Sequence, residues 1–471
     1  MAEQLRIVTV GDPVLKKRAR PVRRVNDSIR ELLDSMVLTM RRAHGVGLAA
    51  PQVGVSKRVV VVETEQGLFE LVNPEIVRAE GSEVGVEGCL SVPGRVGEVE
   101  RYSKVCVSAL DREGNRVWMD ADGLLARAIQ HEVDHLEGIL FLDRAKEVQE
   151  VPQEPREERF LRVVFMGTPQ FAVPSLYHLI LEGHDVCLVV TRPDRPAGRG
   201  LKLQASPVKQ FALAHRLQVI QPESLNAEEV AGLLRELRPD VIAVVAYGRI
   251  IPEEIAEIPT MGAVNVHPSL LPCYRGAAPI QRAIMNGDNV TGVSVIKLSP
   301  RLDAGDIIYQ VEVPIEPADD YGSLSAKLAE VSGEALCKAL RLMAFGQAQL
   351  VPQDETKASL APALKAEDEL INWGASAGAI VNQVRALSPV PGAYTYRSGK
   401  KLKVLRAREA TWTGPPRKPG QMLCQKEQLL VGTGSGWVEL LEVQPEGGRR
   451  MNVQEYLRGR PVSDGETLGE V

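Results

Sequence analysis

The chain has 471 residues, 44% hydrophobic and 25% charged, with a formal net charge of −5; that length exceeds one ordinary core and points to roughly two to four domains. No apolar run reaches membrane-spanning length, and the N-terminal MAEQLRIVTVGDPVL lacks the basic, apolar and small-residue regions of a secretory signal, so a cytoplasmic chain with no membrane partner is expected. Six cysteines without a CxxC pair argue against a disulfide framework or zinc ribbon, and the acidic balance argues against a globally basic nucleic-acid binder.

In chain order, cations first concentrate in KKRARPVRR, residues 16–24, which reads either as a solvated face or as a phosphate-contacting surface. Residues 45–54 are GVGLAAPQVG, and residues 86–94, VEGCLSVPG, place Cys89 near an expected strand edge. Residues 128–138, AIQHEVDHLEG, contain His-Glu-x-x-His. Around it Leu125, Ile129, Val133 and Leu136 recur at helical spacing as an apolar stripe, with His131 and His135 off that stripe. Four residues of separation puts both imidazoles on one helix face, able to share a divalent ion, with the Glu132 carboxylate beside it. The downstream third ligand of many HExxH proteases is absent, so another ligand must come from elsewhere in the chain.

GVGLAAPQVG, EGCLS and QHEVDHLEG together resemble peptide deformylase, over residues 1–145. The resemblance implies an α+β domain in which Cys89, His131 and His135 hold the metal, Glu132 is general acid and base, and Gln52 and the Leu90 backbone N–H stabilise an oxyanion. It implies Fe2+, with Zn2+ or Ni2+ also able to bind, and nascent formyl-methionyl peptides as substrates. The chemistry agrees: a formamide is an unactivated carbonyl, so its hydrolysis at neutral pH calls for a metal and oxyanion donors. After FLDR, residues 141–144, the family's longer C-terminal helix does not follow. A ribosome contact would then fall to Arg20, Arg23 and Arg24 of the cationic run.

The charged, proline-containing segment 146–159 is expected to link domains. Beyond it LRVVFMG (161–167), VCLVVT (186–191), VIAVVAYG (241–248) and GAVNVH (262–267) read as strands separated by helices, including FAVPSLYHLILEG (171–183). That alternation predicts a parallel, doubly wound, Rossmann-like sheet across residues 160–350. Asn265 and His267, two apart on a strand, share one face at its carboxyl end, where α/β sites gather. LSPRLDAGDII, residues 298–308, adds Asp303 in a Gly-flanked turn. After a second linker, 351–366, short β-rich runs between Gly and Pro turns predict a small OB-like β-barrel over 367–471.

NVHPSLLP and DAGD resemble the folate-dependent formyltransferases, and TPQFAVPSL, RPDRPAGRG and VVAYGRIIP narrow the likeness to methionyl-tRNA formyltransferase over residues 160–471. It implies that Asn265, His267 and Asp303 are catalytic and that Ser269, Leu270, Leu271 and Pro272 belong to the loop binding 10-formyltetrahydrofolate. The acceptor would be initiator methionyl-tRNA, met by Arg199 in RPDRPAGRGLK (192–202) and by the C-terminal cations at 397–408 and 447–451. Cys273 stands where related sequences often carry a basic residue. The expectation is therefore a bifunctional enzyme; the competing reading keeps only the formyltransferase active, with a structural or partner-binding metal domain.

Overall fold

The computed structural model describes residues 3–151, 159–197, 202–225, 228–412, 418–425, 427–463 and 465–469. Contacts divide the chain into two compact units, Met1–Ile242 with Tyr247–Met261, and Ala243–Ala246 with Gly262–Val471. Among the described residues no helix is long and apolar enough to cross a membrane.

In the first unit a five-stranded antiparallel sheet runs in the order Gly47–Ala49, Val59–Thr64, Gly67–Glu80, Lys104–Leu110, Arg116–Asp122. VVVVET is buried throughout because it has a helix on each face. Val60 and Val62 pack with Leu125, Ile129 and Leu136 of the helix Gly123–Glu137, whereas Val59 and Val61 pack with Leu33, Met36 and Met40 of the helix Asp27–Arg42. Each valine so covered contributes roughly 1.5–2 kcal/mol. The second helix starts where the Asn26 side chain accepts the Ile29 N–H; the first stops at Gly138, whose φ of 77° is left-handed.

A second, three-stranded sheet joins Glu83–Cys89, Val92–Arg101 and Val148–Glu150. The last strand lies in the stretch expected to be a linker: charge and proline mask a three-residue edge strand, for which the partner strand supplies the order. The same unit holds Arg162–Gly167 and Asp185–Val190, paired in parallel, and the helices Val173–Leu181 and Pro207–Ala214.

Within this unit the strand Val59–Thr64 meets the end of the helix Pro207–Ala214. Glu63 accepts hydrogen bonds from Arg41 Nε at 2.8 Å and Nη2 at 2.7 Å, and His215 Nδ1 lies 2.6 Å away; Arg216 pairs with Glu70. Burial pushes the Glu63 pKa up, but Arg41 and His215 outweigh it and hold the carboxyl down at about 2. A depressed carboxylate stabilises the fold above its ordinary value of 4.5, and that contribution is lost as pH falls toward 2. Glu63→Gln is expected to lose on the order of 3 kcal/mol at pH 7, a gap that narrows as the medium is acidified below pH 4.5. Urea unfolding at several pH values measures it; equal stabilities at pH 7 would refute the assignment.

The sheet that follows has seven strands, in the order Val219–Ile220, Asp185–Val190, Arg162–Gly167, Val241–Val245, Ala263–His267, Val290–Lys297, Ile307–Pro314. The expectation of an all-parallel sheet is corrected here. Ala263–His267 pairs antiparallel with Val290–Lys297, and that strand antiparallel with Ile307–Pro314. The sheet is therefore mixed, as apolar runs fix burial and not direction. In the second unit the long helix Tyr321–Ala344 packs on these last strands. The C-terminal part is a six-stranded antiparallel sheet, Ala393–Arg397, Lys400–Ala410, Trp437–Pro445, Gln428–Gly432, Met422–Gln425, with Met451–Asn452 also on Trp437–Pro445. The helix Ala377–Leu387 closes its core through Ile380, Val384 and Leu387.

Candidate active sites

The helix Gly123–Glu137 presents His131 and His135 one turn apart, and the end of the strand Glu83–Cys89 brings Cys89 to them. Among the described residues, the ligand atoms of Cys89, His131 and His135 lie within 4.8 Å of one another. Cys89 Sγ is 3.2 Å from His135 Nε2. Both histidines are buried, although they sit off the apolar stripe: the side of the helix expected to be polar faces a site, not solvent.

The orientation of His131 is set by Glu87, whose Oε2 accepts from Nδ1 at 2.9 Å and leaves Nε2 for a ligand. Glu87 is in turn gripped by Arg101 through two 2.9 Å bonds and by Arg127 at 2.9 Å. Arg101 also reaches Asp134 at 2.5 Å, and Arg144 holds Asp134 from the other side. Burial pushes the Glu87 pKa up, but Arg101 and His131 hold it down at about 2, so this carboxylate is an acceptor only. Glu87, Arg101, Arg127 and Asp134 escaped the sequence reading. Glu87 in VEGCLS and Asp134 in HEVDH were the available signals, but only the sheet shows that they converge.

Glu132 is 4% exposed, and its Oε2 has no hydrogen-bond partner among the described residues. An orphaned buried carboxylate oxygen is costly, and here it opens toward a cleft of about 520 Å³ lined by Gly47, Gln52, Cys89, Leu90, His131 and Glu132. Burial drives the Glu132 pKa up to about 7 against the pull of His131. Gly47 lies so close that an added methyl would strike the Glu132 carboxyl carbon at 2.9 Å, which explains the glycine in GVGLAA. Gln52 has its Oε1 pinned by the Ala49 N–H at 2.7 Å, and its Nε2 lies 3.6 Å from Cys89 Sγ. Leu90 occupies the turn between the strands Glu83–Cys89 and Val92–Arg101. The cluster thus collects every residue expected at this site.

In the second unit Asn265 and His267 leave the strand Ala263–His267 toward Asp303. Asn265 Nδ2 donates to Asp303 Oδ1 at 3.4 Å, and His267 Nδ1 lies 3.5 Å from Asp303 Oδ2. The Asp303 Oδ2 also accepts the Gly276 N–H at 2.9 Å. His267 Nε2 is 2.8 Å from the Tyr274 carbonyl; a carbonyl can only accept, so Nε2 carries the proton and Nδ1 is the atom left for chemistry. The expected trio is brought together.

The SLLP loop is built from within. Ser269 is fully buried and its hydroxyl donates to the Cys273 carbonyl at 2.6 Å, while Ser294 Oγ receives the Leu271 N–H at 3.1 Å and donates to the Ser269 carbonyl at 2.6 Å. Leu271 is buried, and Leu270 and Pro272 are half-buried. Arg199 lies outside the described residues; beside it Arg195–Ala197 and Lys202–Gln204 pair as a short ribbon. Of the C-terminal cations, Arg397 is bound to Glu466, Arg408 to Glu439, Lys403 to the Pro391 carbonyl and Arg450 to Glu442.

Two active centres thus stand apart along one chain: a thiolate-and-imidazole cluster suited to a metal hydrolase, and a metal-free Asn-His-Asp group suited to acyl transfer. Residues 4–151 match the family model for polypeptide deformylase, residues 161–340 that for formyl transferase, and residues 363–461 that for the formyl transferase C-terminal domain. The methionyl-tRNA formyltransferases of Pelotomaculum thermopropionicum and Moorella thermoacetica are each 48% identical over 311 and 309 residues, 66% of this chain and 99% of theirs. The crystal structure of peptide deformylase from Thermotoga maritima is 41% identical, covering 31% of this chain and 99% of that one, with a TM-score of 0.30. The chain belongs to the methionyl-tRNA formyltransferase family, and carries a polypeptide deformylase domain in residues 4–151.

Proposed function

We propose that both centres work: the first removes formyl from the N-terminus of nascent formyl-methionyl peptides, and the second transfers formyl from 10-formyltetrahydrofolate to the amine of initiator methionyl-tRNA. The observation that carries the first half is a three-donor cluster beside a buried carboxylate oxygen with no partner. One soft sulfur and two imidazoles suit a divalent first-row ion, Fe2+ by family likeness and Zn2+ or Ni2+ by donor type. Cys89, His131 and His135 would hold it, and when bound it lowers the pKa of water and polarises the formyl carbonyl.

The chain's own groups complete the hydrolysis. Glu132, with its pKa raised to about 7, takes the proton that water loses as its oxygen bonds to the formyl carbon, and passes it to the amine nitrogen as the C–N bond breaks. Formate and a free amine result. Gln52, held by Ala49, and the Leu90 N–H donate to the oxyanion.

For transfer, the methionyl amine attacks the formyl carbon and the bond to the folate nitrogen breaks. Asn265 Nδ2 donates to the tetrahedral oxyanion, His267 Nδ1 takes the amine proton, and Asp303 steadies the imidazolium before that proton passes to the leaving nitrogen. Ser269, Leu270, Leu271 and Pro272 shape the folate loop, and Arg199 with the C-terminal domain meets the tRNA. The domains run over 1–145, 160–350 and 367–471, joined by 146–159 and 351–366, with a Rossmann-like core in the second and an OB-like barrel in the third. Arg20, Arg23 and Arg24 are exposed, as a contact with ribosomal phosphates requires.

Opposed activities coexist because formyl-methionyl-tRNA offers no peptide beyond methionine, so a deformylase that uses backbone contacts further along spares it. Stripping the metal with a chelator is expected to abolish deformylation of a formyl-methionyl peptide and leave formylation of methionyl-tRNA at its starting rate. Adding back Fe2+, Zn2+ or Ni2+ should restore the first. If both rates fell together, the two-centre reading would be wrong.

A further inference from the structure

The second expected linker, 351–366, is sewn onto the formyl-transfer site. Gln353 is half-buried with its amide fully engaged. Its Nε2 donates to the backbone carbonyls of Asp303 and Gly305, both at 2.8 Å, and its Oε1 accepts from Arg275 Nε at 3.0 Å and Nη2 at 2.7 Å. Arg275 is buried and also pairs with Glu355 at 3.0 Å. The Arg275 backbone is stitched to the same segment: its N–H donates to the Ser359 carbonyl at 2.8 Å, and its carbonyl accepts the Ala361 N–H at 2.7 Å.

Two parts of the reacting group hang on this clamp. Asp303 has a φ of 48° and Tyr274 one of 63°, left-handed conformations that a side-chain-bearing residue keeps only when its surroundings impose them. Tyr274 immediately precedes Arg275 and offers its carbonyl to His267; Asp303 faces the other nitrogen of that ring. Only a planar amide fits between them: its two N–H groups meet two carbonyls while its oxygen meets a guanidinium.

We propose that Gln353 is a positioning residue for formyl transfer, which with Arg275 fixes the backbone of Asp303 and Tyr274 and so sets both partners of the His267 ring. The proposal rests on the formyltransferase reading above. Small misplacements of reacting groups lower turnover more than binding, so the effect belongs in kcat. Gln353→Glu is isosteric but turns a carboxylate oxygen toward two carbonyls; Gln353→Met keeps the length and removes every polar contact.

Both variants are tested in the full chain for formylation of methionyl-tRNA, with deformylation by the same molecules as an internal measure of folding. The expected result is a kcat for formyl transfer lower by about tenfold or more, with both KM values within about twofold and deformylation unchanged. Wild-type kcat in either folded variant overturns the assignment, as does a loss confined to KM. Loss of deformylation alongside formylation in both variants also overturns it, since Gln353 would then be holding the chain together. Absence of transfer in the unsubstituted chain would instead sink the formyltransferase reading itself.

Discussion

Glu132→Gln is expected to slow deformylation by about a thousandfold while formyl transfer by the same chain continues at its normal rate. The substitution keeps the shape of a fully packed side chain and removes only the ability to take up and return a proton. Glu132 is not among the three clustered ligand atoms, so metal content should stay at the wild-type value. Steady-state rates on a formyl-methionyl peptide, paired with elemental analysis, give the result. A variant that retains its metal and deformylates within tenfold of the parent would remove Glu132 from the mechanism.

His267→Ala is expected to do the converse, cutting formylation of methionyl-tRNA by at least about a hundredfold and sparing deformylation. Its ring has a carbonyl on one nitrogen and Asp303 near the other, so the loss removes the proton carrier and strands Asp303 with no imidazole to steady. Asn265 still offers its amide to the oxyanion, and some residual transfer should remain above background. A fall in both activities from either substitution would contradict independent centres.

How much of this could be read from residue order depended on distance along the chain. His131, Glu132 and His135 were legible because a single helix turn places them, and Asn265 and His267 because one strand alternation does. Cys89, Gln52 and Leu90 came from motif likeness, since no local periodicity joins positions 52, 89 and 131. Glu87 and Arg101, whose pairing aims His131, were missed; they meet across two strands and a helix whose register is a tertiary fact. Gln353 was hidden in a stretch whose Pro, Asp and Thr read as loop, which it is in backbone but not in role. Strand existence was legible in the central sheet, whereas strand direction was not: Val290–Lys297 looks alike run either way and pairs antiparallel.

The burial of Glu63 between Arg41 and His215 bears on how the two enzymes came to live together. A deformylase cut free at residue 151 would turn that carboxylate and Glu70 toward water without His215 and Arg216, and the remaining piece would bare its own matching cations. The joint has outgrown the peptide that made it. Separating the genes again would demand surface redesign on both products, so the fusion behaves as a ratchet: easy to enter by joining two reading frames, hard to leave by parting them.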